Sequence, residues 1–394
     1  MKRVHLQLIA ALAVAVACGG GAQASNWIGG GIDNEFSTTN NWDDGLINGT
    51  QNINGDFVVE RVVDNTAQRT FVNGGAILNV TGGNHNDNRS GASIFNYVGD
   101  SSTGTVNQSA GQYSIGHGLR IGAGNGNGVG AYNLTGGALI VYRGSNSSLD
   151  SSNPGGRPSM QISDNKGGQG LFEISAGSLA TRGGVHIGVA GTFSVIGTNA
   201  TSIGIGSHDS GDGSWLQTSN SALKVAIDAG GVTPVFIDDV DGGGVFAELR
   251  DGALLDVSFW GGHVETNSWR VLDVENGPLV DNGLEFAETV DTNLWAKKIV
   301  ADTQLWVSYA GAPIPEPTTN LYVDVEAPVP LAAETWNLHA PAGGNTALAD
   351  QSSSGFTATF EDVDDYWGPD GEWIPYAPRV AQEFDHDLDI SQVG

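Results

Sequence analysis

Gly104-Thr105-Val106-Asn107-Gln108-Ser109-Ala110-Gly111-Gln112-Tyr113-Ser114-Ile115 is followed shortly by Leu119-Arg120-Ile121-Gly122. The same pattern returns twice. Gly130-Ala131-Tyr132-Asn133-Leu134-Thr135-Gly136-Gly137-Ala138-Leu139-Ile140-Val141 leads to Met160-Gln161-Ile162-Ser163. Gly170-Leu171-Phe172-Glu173-Ile174-Ser175-Ala176-Gly177-Ser178-Leu179-Ala180-Thr181 leads to Val185-His186-Ile187-Gly188. A partial copy runs from Phe71 through Gly74-Gly75-Ala76-Ile77-Leu78 to Tyr97-Val98-Gly99, and another opens at Gly191-Thr192-Phe193-Ser194-Val195. Each unit holds three short runs of alternating residues. Period-two alternation marks a strand, and runs of three to four residues are too short for a helix. The Gly-Gly and Ala-Gly pairs between runs supply corners with positive φ.

Three short strands per repeat, stacked, predict an all-β protein, a right-handed parallel β-helix. Antiparallel β-sandwiches are the alternative, because short alternating strands do not by themselves set the topology. In the β-helix, Val106, Tyr132, Phe172 and Phe193 form one inward column, and Tyr113, Leu139 and Leu179 a second. Leu119/Ile121, Met160/Ile162 and Val185/Ile187 form the third. The repeats start 26 residues apart at Gly104 and Gly130, then 40 apart at Gly170. The longer step contains Gly144 to Pro158, a Ser/Asn/Pro-rich insertion read as a loop on one face.

Charge divides the chain. Between Asn26 and Ala200 there are 12 acids and 8 bases, whereas Thr201 onward has 32 acids and 6 bases. The expected order is therefore a signal peptide over 1–24, the Gly-rich repeat region over 25–200 and an acidic β-rich region over 201–312. That third region is read as further rungs or as an antiparallel β-domain that caps the stack, with strands at Leu223–Ile227, Val235–Ile237, Ala253–Phe259, Trp269–Leu272 and Gln304–Tyr309. A Pro-rich linker over 313–333 and an acidic, partly disordered β-rich tail over 334–394 follow. The formal net charge of −28 argues against nucleic acid and against an anionic membrane surface, which need clustered cations.

Met1-Lys2-Arg3, the apolar run Leu6 to Cys18 and the exit Ala22-Gln23-Ala24-Ser25 read as a secretory signal cleaved after Ala24. The competing reading takes Ala15-Val16-Ala17-Cys18 as a lipobox, which would make the protein an outer-membrane lipoprotein carried on Cys18. Either way the expected location is secreted or on the cell surface. Cys18 is the only Cys, so cleavage after Ala24 excludes disulfides, thiolate metal sites and a Cys nucleophile. No other apolar run is long enough for a membrane span.

The opening Trp27-Ile28-Gly29-Gly30-Gly31, then Asn41-Trp42-Asp43-Asp44-Gly45, resembles large exported β-helix proteins of planctomycetes and related bacteria. The Gly-x-aromatic-x-aliphatic-Ser/Thr-x-Gly units and Gly231-Val232-Thr233-Pro234 match that group as well. Such proteins often carry autotransporter-associated-type β-strand repeats or PEP-CTERM sorting tags. The resemblance covers roughly Trp27 to Gly311 and implies a surface or secreted scaffold, with Trp27 and Trp42 capping the start of the stack. Pro313-Ile314-Pro315-Glu316-Pro317-Thr318 resembles the Pro-Glu-Pro tag, but the terminal membrane helix and Arg cluster of that tag do not follow it.

Chemistry is thinly signalled. The outward residues of the third column are Tyr97, Arg120, Gln161 and His186, a row suited to an extended glycan. Asp238-Asp239-Val240-Asp241-Gly242 gathers Asp238, Asp239 and Asp241 before a Gly turn, hard oxygen ligands of the kind Ca²⁺ takes. Asp209 to Asp212 and Asp362 to Asp370 are weaker versions. No His-Glu-x-x-His, Gly-x-Ser-x-Gly or phosphate loop occurs. These features predict a non-catalytic exported scaffold that contacts polysaccharide or envelope partners. Two alternatives stand beside it. One is a polysaccharide lyase or glycosidase using Arg120, Arg143 or Arg182 near a carboxylate cluster; the other is a self-associating surface protein.

Overall fold

The computed structural model describes residues 24–31, 33–45, 49–87, 95–116, 118–123, 127–142, 158–163, 167–206, 214–238, 246–275 and 277–314, with five short strands between 348 and 381. The leader as far as Gln23, the insertion 144–157, Arg143, Asp239, Asp241, the Asp209–Asp212 cluster, the strand expected at Leu321–Val325 and the carboxylates of 362–370 lie outside the described residues. The chain divides into two units between Pro315 and Glu316. In the second, Leu348–Ala349, Thr357–Phe360 and Val380–Ala381 form one small antiparallel sheet, and Tyr366–Trp367 pairs with Trp373–Ile374.

The first unit is all-β, built on a ten-stranded and a fifteen-stranded sheet. Each repeat adds a short strand to the first sheet and a long one to the second. The short strands include Phe95–Val98, Gly118–Ile121, Met160–Ile162 and Val185–Ile187. The long ones are Ala76–Asp87, Thr103–Ile115, Val129–Val141 and Gln169–Thr181. Neighbouring repeats pair in parallel and in register: Val106 opposes Tyr132, which opposes Phe172, which opposes Phe193. Tyr113, Leu139 and Leu179 form the second column, and Leu119, Met160 and Val185 the third. All are buried. Antiparallel sandwiches do not describe this unit. Apart from two isolated bridges, its antiparallel pairing is confined to Ser268–Val274, Gln304–Tyr309 and Trp295–Val300.

Each long strand changes direction at a glycine. Gly111, Gly137 and Gly177 have φ of 72°, 76° and 83°, a region that costs a side-chain-bearing residue energy. They also stand on one another. A Cβ on Gly137 would fall on the Gly111 carbonyl, and one on Gly177 on the Gly137 carbonyl. Glycine is required twice over at these corners, once for the dihedral and once for the space.

The parallel stacks run on past Thr201. Gly191–Ile196 and Ala200–Ile205 split the work of one long strand, followed by Ala222–Ile227 with Val235–Ile237 and then Leu254–Phe259 with Ser268–Val274. The antiparallel hairpin Trp295–Val300/Gln304–Tyr309 closes the second sheet. Here Phe259, Trp269, Trp295 and Tyr309 pack as an aromatic cluster.

The N-terminal end is sealed differently. Trp27 and Trp42 meet edge to face at 5.1 Å, and Phe36 meets Trp42 at 4.9 Å. Behind Phe36 lies Arg61, its guanidinium carbon 3.8 Å from the Phe36 ring centre and facing Asp87. Asp87 accepts from Thr70 at 2.7 Å, Asn96 at 2.6 Å and Tyr113 at 2.7 Å. Burial is the largest influence and works against the charge on Arg61, but the Asp87 carboxylate and Tyr113 together outweigh it and raise the guanidinium's pKa. Burial, reinforced by the same carboxylate, pushes the Tyr113 phenol up.

Candidate functional site

The outer face of the ten-stranded sheet carries one continuous row. Register links Asn26, Asn52, Phe71, Tyr97, Arg120, Gln161 and His186, one residue per strand. Strands in such a sheet lie about 4.8 Å apart, so these side chains recur at that interval. Alternation keeps them outside, because their neighbours Val72, Val98, Ile121 and Ile162 point into the core. Tyr97, Arg120, Gln161 and His186, expected from sequence to align, stand in this single row.

Its centre is a stack of planar groups. The Phe71 and Tyr97 rings are 5.0 Å apart with planes 5° from parallel. Arg69 lies over the Phe71 ring, 4.6 Å from its centre. Arg120 rests 3.9 Å above Phe95 and 5.7 Å from the centre of Tyr97, and its Nη1 donates to the Tyr97 hydroxyl at 3.5 Å. Cation–aromatic contacts of this kind are worth about 0.5–1 kcal/mol at exposed positions and more as water is excluded. One face of each ring is thus occupied by the other ring, and a guanidinium group lies against each. What the row offers outward is ring edges, N–H groups, a phenol and amides.

Sequence reasoning missed Arg69, Phe71 and Phe95. The alternation of Arg69-Thr70-Phe71 puts Arg69 and Phe71 on one side, and the register of the partial repeat aligns Phe71 with Tyr97, so that signal was present. His186 differs from expectation in another way. It lies in the row yet is only 4% exposed, and its Nε2 has no hydrogen-bond partner. Desolvation, followed by the nearby Arg250 charge, lowers its pKa to about 4. The next positions, Leu216 and Glu248, are also buried, so the open part of the row ends at Gln161.

Asp238 and Arg182, the other expected groups among the described residues, are not brought together with this row. Asp238 lines a depression of about 420 Å³ with Phe236, Ile237, Asp273 and Glu275, next to the fifteen-stranded sheet. Asp273 there accepts from Arg270 at 2.6 Å and from Gln304 at 3.2 Å. Among the described residues, no group of three or more His, Cys, Asp or Glu is placed to hold a metal ion. Arg120 lies in a strand of the ten-stranded sheet, whereas Arg182 follows the strand Gln169–Thr181 of the fifteen-stranded sheet. Among the described residues, no helix is long and apolar enough to cross a membrane. Comparison with family models, curated proteins and solved structures gives no match, so the site is read from its geometry.

Proposed function

We propose that this chain is an exported, right-handed parallel β-helix that serves as a cell-surface or extracellular scaffold and binds polysaccharide along the row from Asn26 to Gln161. The observation that carries the reading is the in-register run of Asn26, Asn52, Tyr97, Arg120 and Gln161 around the stacked Phe71/Tyr97 pair. A polymer laid along the stack meets a hydrogen-bonding group of the row at every strand except that of Phe71. Each contact is weak, but the sheet holds them all in place beforehand, so little ordering entropy is lost on binding. Export follows from the basic, apolar and small-residue succession over the first 24 residues.

The test uses the protein from Ser25 onward with a panel of acidic and neutral polysaccharides in the presence of Ca²⁺. Retained protein and newly formed sugar ends are both measured. Retention without new ends, lost in Tyr97→Ala, is the expected result. New sugar ends would make the protein a lyase or hydrolase, and no retention on any polymer would sink the binding role. Sequencing the secreted form is expected to read Ser25 first; a blocked, lipid-bearing Cys18 would place it on the outer membrane instead.

A further inference from the structure

We infer that the polymer held by this row is acidic, its sugars bearing carboxylate or sulfate groups, and that Arg120 receives one of those groups. The inference rests on the polysaccharide reading and adds the charge and the residue that reads it.

Arg120 is unusual for this chain. Acids outnumber bases 44 to 16, yet among the described residues no carboxylate meets Arg120. Its contacts are the Phe95 ring, the Tyr97 ring and the Tyr97 hydroxyl, all uncharged. Its Nε is shut off from solvent without an acceptor. With Nε buried, a guanidinium seated on an aromatic face keeps its Nη1/Nη2 end for an acceptor from solvent, and that end fits the paired oxygens of a carboxylate or sulfate. The aromatic support holds the plane in advance, so less freedom is lost when the anion arrives.

Two further features agree. With one face of each ring taken by the other and a guanidinium group against each, Phe71 and Tyr97 leave a sugar less open ring to lie on, and polar contacts carry more of the recognition. The row also belongs to the part of the chain where charges nearly balance, 12 acids against 8 bases between Asn26 and Ala200. A polyanion therefore meets less repulsion here than it would from the strongly acidic residues after Thr201. At about 0.15 M salt, interactions beyond roughly 8 Å are largely screened, which further isolates the local contact.

The experiment compares dextran, carboxymethyl dextran and dextran sulfate, three polymers with one backbone, binding to the protein from Ser25 onward in about 0.15 M NaCl. The charged polymers are expected to bind at least tenfold more tightly than dextran. The stronger of the two identifies carboxylate or sulfate as the group read. Arg120→Gln should erase the preference while its far-ultraviolet spectrum stays that of the parent. Arg120→Lys, which keeps the charge but loses the plane, should retain only part of it. Equal binding to all three polymers would overturn the acidic inference and leave the scaffold reading intact. A preference that survives in Arg120→Gln would remove Arg120 from the role. Failure of the parent to bind any of the three would overturn both readings together.

Discussion

Arg61 and Asp87 face each other at 3.4 Å with neither side chain touching solvent. Asp87 gathers four donors, from Arg61, Thr70, Asn96 and Tyr113, and so ties together strands of both sheets near the N-terminal end. Removing one partner of a buried ion pair strands the other charge, at a cost of about 3–5 kcal/mol. Asp87→Ala should therefore lower unfolding stability by that amount in urea titration. A loss below about 1 kcal/mol would mean that water reaches Arg61 and the pair is not structural.

The corner glycines give a second prediction. Gly137→Ala adds a methyl group where the Gly111 carbonyl sits, at a φ of 76°. Overpacking of this kind costs about 1–3 kcal/mol or more. Gly261, also at positive φ but with open space around it, separates the two causes. Gly261→Ala should cost about 1 kcal/mol, from the dihedral alone. Equal melting temperatures for the two variants would contradict the stacked-corner account.

His85 and His186 make stability depend on pH. Desolvation, followed by the charge of Arg61 for His85 and of Arg250 for His186, lowers both pKa values from 6.5 to about 4. Below pH 6.5 the unfolded chain takes up protons at these positions and the folded chain does not. Their contribution to stability is thus complete above pH 6.5, falls as the pH drops toward 4 and levels off below. A tenfold difference in proton affinity between the folded and unfolded chains is worth about 1.4 kcal/mol, so each ring accounts for on the order of 3 kcal/mol across the window. In His186→Gln, the slope of urea midpoint against pH between 6.5 and 4 should flatten. An unchanged slope would show that His186 protonates freely in the folded protein.

Tyr97→Ala should weaken polysaccharide binding about tenfold, near 1.4 kcal/mol, because it removes both the phenol and a support of Arg120. Trp260 is 55% exposed and lies outside the row, so Trp260→Ala serves as the control and should bind as the parent does. The comparison is made by isothermal titration against the tightest polymer of the panel. If the control loses as much as Tyr97→Ala, binding is diffuse and the row has no special part in it.

How far the amino-acid order revealed this molecule depended on how regular each segment is. Gly104, Gly130 and Gly170 open near-copies, so three inward columns could be written down residue by residue, and the parallel pairing follows them. The first repeat is degenerate. Arg61 and Asp87 sit at inward positions where alternation leads one to expect apolar residues, and only the folded chain brings them together. His186 illustrates a different limit. Alternation tells which side of a strand a residue occupies but not what lies on that side. The closing hairpin was legible in part, since the strand Gln304–Tyr309 and an antiparallel closure of the stack were both among the expectations, while its partner strand Trp295–Val300 was not.

That antiparallel closure also gives one end of the fifteen-stranded sheet a finite stop. A stack of parallel strands ends in a row of unpaired backbone groups, a template on which another chain can grow. Trp295–Val300 occupies that terminal position in its sheet, running backward and bearing Lys297 and Lys298. Lys297 is 3.7 Å from Asp281. Lysines on an edge strand discourage a further strand from docking. The number of strands in this sheet is therefore written into its own terminator, as the last mark is cut on a ruler.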